Sequence, residues 1–265
     1  MGQFTYNYLD KYLIEVRAQG RYAFTVEELR KNFDLSSNAL NQVLYRTKQK
    51  KEIVQIRPGF YVIIPPEYSK SGILPPYLYI ADLMAFLDKP YYVGLLSAAA
   101  LHGAAHQQPT VYTVITQTPA PRSVDKLKIL FFSKQKFIQG GIIQKKTPAG
   151  YINVSSPELT ALDFFDYIYK FGINRITTVL QELSEEMKPS ILLRIAKQYP
   201  NTAVIQRLGY VLDKVVSSEK LSDILWMVLN EKTIYPVPLS PQKNKKGIID
   251  NKWKIIQNME IESDL

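Results

Sequence analysis

The 265-residue chain has no cysteine and only 2 histidines. Without cysteine there are no disulfides and no zinc–thiolate sites, which fits a reducing compartment and points to the cytoplasm. No apolar run reaches the roughly 18 uninterrupted residues of a membrane-spanning helix. The opening MGQFTYNYLDKYL lacks the charged-then-apolar layout of a secretory signal, so the cytoplasm is again the expected location. Helical stretches are broken at irregular intervals, which excludes a solenoid of fixed period. Acidic residues are fewer than basic ones, 24 against 33, giving a net charge of +9 and a pI near 9.4. That surplus favours a polyanionic partner, most simply nucleic acid. What the chain does have is 46% hydrophobic residues, enough for a packed core, and a length that allows two compact domains.

The most informative stretch is Ser36 to Lys51, SSNALNQVLYRTKQKK. At helical spacing Leu40, Val43, Leu44 and Thr47 fall on one side. Ser37, Asn38, Asn41, Gln42, Tyr45, Arg46, Lys48 and Gln49 cover the rest, and Ser36 or Ser37 suits an N-cap. Amides and hydroxyls come first and cations later, the order expected of a helix in a DNA major groove. Amides read base edges there, while cations neutralise phosphates. Residues 30–57 hold 7 Lys and Arg against 2 Asp and Glu, so the local excess sits around this helix.

The flanks agree. Phe4 to Gln19 reads as an amphipathic helix with Leu9, Leu13 and Val16 buried, ending at Gly20. Thr25 and Glu28 form a capping-box pair for a second short helix, with Phe24 as half of a hydrophobic staple. That helix should stop near Phe33, leaving a short turn before Ser36, the helix-turn-helix arrangement in which the second helix reads. Ile53–Ile56 and Phe60–Ile64 then flank Arg57-Pro58-Gly59, a hairpin with a tight Pro-Gly turn. Arg57 at its tip is expected against phosphates or in the minor groove. Three helices and a hairpin make a winged helix.

Two Pro-Pro pairs around Ser69–Gly72 can continue neither a helix nor a central strand, so a domain boundary is expected near Ser69. This gives a winged helix-turn-helix domain at 1–68 and a second domain at 69–265. Tyr77 to Leu87 reads as helix. After it, Tyr91-Tyr92-Val93-Gly94-Leu95-Leu96-Ser97-Ala98 leads to Leu101-His102-Gly103 and a strand around Val111–Val114. Downstream come Ser156-Pro157-Glu158-Leu159-Thr160-Ala161-Leu162-Asp163, Gln206-Arg207-Leu208-Gly209-Tyr210 and Trp253-Lys254-Ile255-Ile256-Gln257-Asn258. In this order the four stretches resemble the AbiEi family of type IV antitoxins, across nearly the whole chain. The resemblance implies a transcriptional autoregulator that represses its own operon through an inverted-repeat operator, with a homodimer or cooperative assembly on DNA. It also implies that the second domain counteracts a co-encoded nucleotidyltransferase-like toxin in phage defence, without needing a stable complex. No cofactor and no enzymatic activity are implied.

Read for themselves, these residues are mostly structural. His102 and His106 stand at i, i+4, but no third ligand accompanies them, so no metal site is expected and His102 should cap its helix. Ser156-Pro157-Glu158 suits helix initiation. Asp163 and Asp166 follow with no His, Cys or Lys partner placed by motif. The rival reading makes them Mg²⁺ ligands of a nuclease-like enzyme fused to the winged helix. Strands are expected at 126–133, 141–147 and 151–155, with Arg122 before them. Lys126, Lys128, Lys134, Lys136, Lys145 and Lys146 should decorate the sheet as exposed cations. With Lys243, Lys245 and Lys246 they leave room for a second polyanion-facing surface. Helices are expected at 158–171, 173–186, 190–199, 202–216 and 221–230. Gly209 in mid-helix should mark close packing, and Arg207 is expected to pair with a carboxylate such as Asp163. The expected class is α+β: a winged helix-turn-helix domain, then a larger mixed α/β domain with a small sheet and a helical C-terminal half.

Overall fold

Leu9, Tyr12, Leu13 and Val16 bury one side of helix α1, Tyr6–Ala18, as their spacing demands. The computed structural model describes residues 6–104, 109–124 and 128–261, so the expected helix start at Phe4 lies outside the described residues. Strand β1, Ala23–Thr25, leads into α2, Val26–Asn32. Thr25 caps α2 reciprocally: its hydroxyl accepts from Glu28 N at 3.1 Å, and the Glu28 carboxylate accepts from Thr25 N at 2.7 Å. Helix α3, Ser37–Gln49, begins after Ser36, whose hydroxyl accepts from Ala39 N. Strands β2, Ile53–Arg57, and β3, Phe60–Ile63, pair antiparallel, and β3 also pairs with β1, giving the order β1-β3-β2. Gly59 adopts φ +82° in the turn between them, a conformation open to glycine. The core of these elements joins Leu9, Leu13 and Val16 to Phe24, Leu29, Leu40, Leu44, Ile53, Tyr61 and Ile63. This is a winged helix-turn-helix.

The proline-rich stretch forms two single 3₁₀ turns, Pro66–Tyr68 and Pro76–Leu78, followed by α4, Ile80–Phe86. The chain divides into two compact units. The first runs through Tyr91 and also takes in Pro119–Leu130 and Gln144–Asn153; the second holds Tyr92–Thr118, Phe131–Ile143 and the chain from Val154 onward.

A five-stranded sheet is built from β4 (Tyr91–Val93), β5 (Tyr112–Gln117), β6 (Ile129–Lys134), β7 (Ile142–Thr147) and β8 (Gly150–Ser155), in the order β6-β5-β4-β8-β7. Val93 pairs parallel with Val154. Helix α5, Leu95–Leu101, follows β4 directly. Gly94 at the junction is required: a Cβ there would lie 2.8 Å from Ile115 Cδ1. Six helices follow the sheet: α6 (Pro157–Asp166), α7 (Ile168–Phe171), α8 (Ile173–Glu186), α9 (Pro189–Gln198), α10 (Thr202–Lys214) and α11 (Glu219–Asn230). Helix α6 is central: every residue from Glu158 to Phe165 is buried, and it packs on α5, α8, α9 and α10. A small closing sheet orders β10 (Ile248–Ile249), β11 (Ile255–Gln257) and β9 (Val237–Pro238). The fold is α+β, with the helices gathered in the C-terminal half.

Candidate functional site

On α3, Leu40, Leu44 and Thr47 are buried and Val43 is half-buried. Ser37, Asn38, Asn41, Gln42, Tyr45, Arg46 and Gln49 are exposed, Tyr45 to 60%, while Lys48 is half-buried. Thr47 satisfies its buried hydroxyl by donating to Val43 O at 2.9 Å. The apolar side thus seats the helix on the core, and the amide-rich side faces away from it. Lys48 Nζ donates to Gln55 Oε1 at 3.4 Å, tying the helix to strand β2.

Arg57 ends β2, just past a register irregularity at Gln55/Arg57, the kind of bulge that re-aims a side chain. Its Nη2 donates to the backbone carbonyl of Arg122. Burial and the neighbouring Arg122 charge both hold the Arg57 guanidinium below its ordinary range. Among the other expected cations, Arg122, Lys128, Lys136, Lys146, Lys243, Lys245 and Lys246 are exposed and Lys145 is half-buried. Lys126 and His106 lie outside the described residues. Lys128, Lys145 and Lys146 belong to the first unit, Lys243, Lys245 and Lys246 to the second.

Lys134 departs from expectation. Alternation along β6 puts it on the face of buried Phe132, and its side chain is only 11% exposed. Its ammonium contacts Asp163 Oδ1 and lies 3.0 Å from Asp166 Oδ2 and 2.6 Å from the Tyr199 hydroxyl. Tyr92 donates to Asp163 Oδ2 at 2.8 Å, and Tyr199 OH stands 3.0 Å from Asp163 Oδ1 and 3.1 Å from Asp166 Oδ2. Burial pulls the lysine down, but the two carboxylates outweigh it and hold it above its ordinary range. Burial pushes Asp163 up, and Lys134 and Tyr92 offset only part of this. The cluster edges a cavity of about 500 Å³ that also meets Tyr167, Ile138 and Leu159. The Lys134 ammonium thus sits between the two carboxylates. Among the described residues no group of three or more His, Cys, Asp or Glu is arranged to hold a metal.

The assignment of Arg207 to Asp163 is corrected. Asp163 is already satisfied by Lys134, Tyr92 and Tyr199, and Arg207 Nε donates instead to Pro238 O at 2.9 Å. His102 takes the C-cap position of α5, and its Nε2 lies 2.7 Å from Ser155 O. Glu158 does more than start α6: buried, it accepts from Lys188 N, the cap residue of α9, at 2.6 Å. Residues 92–214, which contain all of these contacts but the Pro238 acceptor, match the family described as AbiEi antitoxin C-terminal domain.

The chain carries an AbiEi antitoxin domain.

Its four motif stretches have structural roles. The Tyr91–Gly103 stretch makes β4 and α5, and Ser156–Asp163 makes the buried face of α6. The Arg207–Gly209 turn of α10 receives the closing segment: a Cβ on Gly209 would lie 2.0 Å from the Trp253 ring. Trp253 Nε1 in turn donates to Asp213 at 2.7 Å. The chain is similar in fold to a protein of known structure, RV2827C from Mycobacterium tuberculosis. The TM-score is 0.69 at 16% identity, over 94% of this chain and 90% of that one. No curated protein sequence matches it. Among the described residues no helix is long and apolar enough to cross a membrane.

Proposed function

We propose that the protein is the DNA-binding autoregulator and antitoxin of a type IV toxin–antitoxin system. Residues 1–68 act as the operator-reading module and residues 69–265 as the antitoxin part. The observation that carries the reading is the exposed amide-and-cation side of α3, standing on a winged helix in a chain with an AbiEi antitoxin domain. Asn38, Asn41, Gln42 and Tyr45 face base edges, with Ser37 and Gln49 at the ends of the row. Arg46, Lys48 and Arg57 face phosphates. Two-fold assembly on an inverted repeat follows from the resemblance, as does a nucleotidyltransferase-like toxin whose effect is counteracted without a stable complex.

The test is binding of the full chain to DNA upstream of its own gene at several salt concentrations. The expected result is a specific complex that weakens steeply with salt and is lost in an Asn41→Ala, Arg46→Ala double variant. Unchanged affinity in that variant would remove α3 as the reader. Co-expression with the neighbouring toxin gene checks the antitoxin half, with growth restored as the expected outcome. Mg²⁺-dependent DNA cleavage lost on Asp163→Ala would replace this reading with an enzymatic one.

A further inference from the structure

At the wing the Arg57 guanidinium meets the main chain of a second arginine, Arg122. Arg122 lies 65 positions after Arg57, yet both belong to the first compact unit. The Arg57 side chain donates to the Arg122 main-chain carbonyl, which brings the two side chains close enough for the charge of one to act on the other. Like charges held together repel, and such an arrangement is stable only at a cost that an anion between them would remove. Among the described residues no carboxylate pairs with either arginine. Arg122 is exposed and Arg57 half-buried, so the pair opens to solvent with one group already fixed in place.

Its position suits a phosphate. Lys48 of the reader helix touches Gln55 on β2, and Arg57 lies two residues further along that strand, roughly 7 Å at the rise of an extended chain. A duplex read by α3 would carry its backbone close to this strand. Guanidinium is the group that binds phosphate oxygens through paired N–H donors.

We propose that Arg57 and Arg122 together clamp one DNA backbone phosphate beside the reader helix. The DNA-contacting surface then includes a residue contributed from well beyond the winged helix. The inference rests on the DNA-binding reading and deepens it.

The contact from Arg57 goes to the main-chain carbonyl of residue 122, so it survives any change of that side chain. Arg122→Gln therefore removes the charge and keeps the strap, while Arg122→Lys keeps the charge. The full-length protein and both variants are titrated with the upstream DNA fragment and with an unrelated duplex, each from low to moderate salt. Arg122→Gln is expected to weaken both complexes severalfold and to equal degree, and to lower the slope of log K against log salt by about one. Arg122→Lys should keep the wild-type slope, and Arg57→Ala combined with Arg122→Gln should lower the slope no further than either change alone, because one phosphate is shared. Wild-type binding with an unchanged slope in Arg122→Gln would overturn the clamp and leave the DNA reading standing. No DNA binding by the wild type would overturn both.

Discussion

Lys134 holds three charges together in a buried place, which makes it sensitive to both mutation and pH. Lys134→Met leaves Asp163 buried without its cation and should destabilise the second unit by about 3–5 kcal/mol. In both proteins stability falls as pH rises, but in different pH windows. In the wild type the folded lysine titrates above its unfolded value of about 10.4, so its contribution is complete below that pH and is lost as pH rises beyond it. In the variant the carboxyl of Asp163 titrates high in the folded state. Stability is then greater at low pH and falls as pH rises above the unfolded value of about 3.9. Urea midpoints at pH 5 and pH 8 check this: relative to wild type, the variant should recover at pH 5. Gly209 gives a second test. Alanine raises helix propensity by about 1 kcal/mol, but its methyl would overlap the Trp253 ring, so Gly209→Ala should lower the thermal midpoint with a net cost of about 1–3 kcal/mol. The packing role of Gly209 was legible in the sequence, because a mid-helix glycine has few other uses. The burial of Lys134 was not. Its partners lie 29 or more positions away, and an isolated lysine on a strand looks the same whether it faces water or a carboxylate.

At the scale of elements, local signals sufficed wherever the stabilising partner lies within a few residues. The Thr25–Glu28 capping box, the Ser36 cap and the Pro58-Gly59 turn all form as the sequence predicts, and the helices expected at 173–186, 190–199, 202–216 and 221–230 form close to those bounds. Thr25→Ala should cost about 0.5–2 kcal/mol of the first unit's stability, measurable by denaturant unfolding. It should also weaken DNA binding only in proportion to the unfolded fraction, since Thr25 lies outside the proposed reading face of α3. Strand β4 was missed for a physical reason. Tyr91, Tyr92 and Val93 are all buried, so the run has no polar alternation, and periodicity cannot separate it from the start of α5. The engagement of Arg57 with Arg122 and of Arg207 with Pro238 was likewise hidden, because backbone carbonyl acceptors leave no mark in a sequence.

At the scale of the molecule, the winged-helix core closes on residues between Leu9 and Ile63. A fragment of residues 1–68 should therefore melt cooperatively. It should melt lower than the intact chain, since it lacks the buried Leu74, Tyr79, Ile80 and Leu83, and its DNA complex should be less salt-sensitive, since it lacks Arg122. Calorimetry and a salt titration of the fragment check both points. The first unit is not one continuous stretch: it draws on Pro119–Leu130 and again on Gln144–Asn153. On the ribosome this imposes an order of events. The winged-helix core can collapse early, yet its unit stays incomplete until a point about 90 residues later has emerged, a delay of roughly 5–18 s at ordinary elongation rates. Throughout that interval the nascent chain carries a folded α3 on an unfinished support.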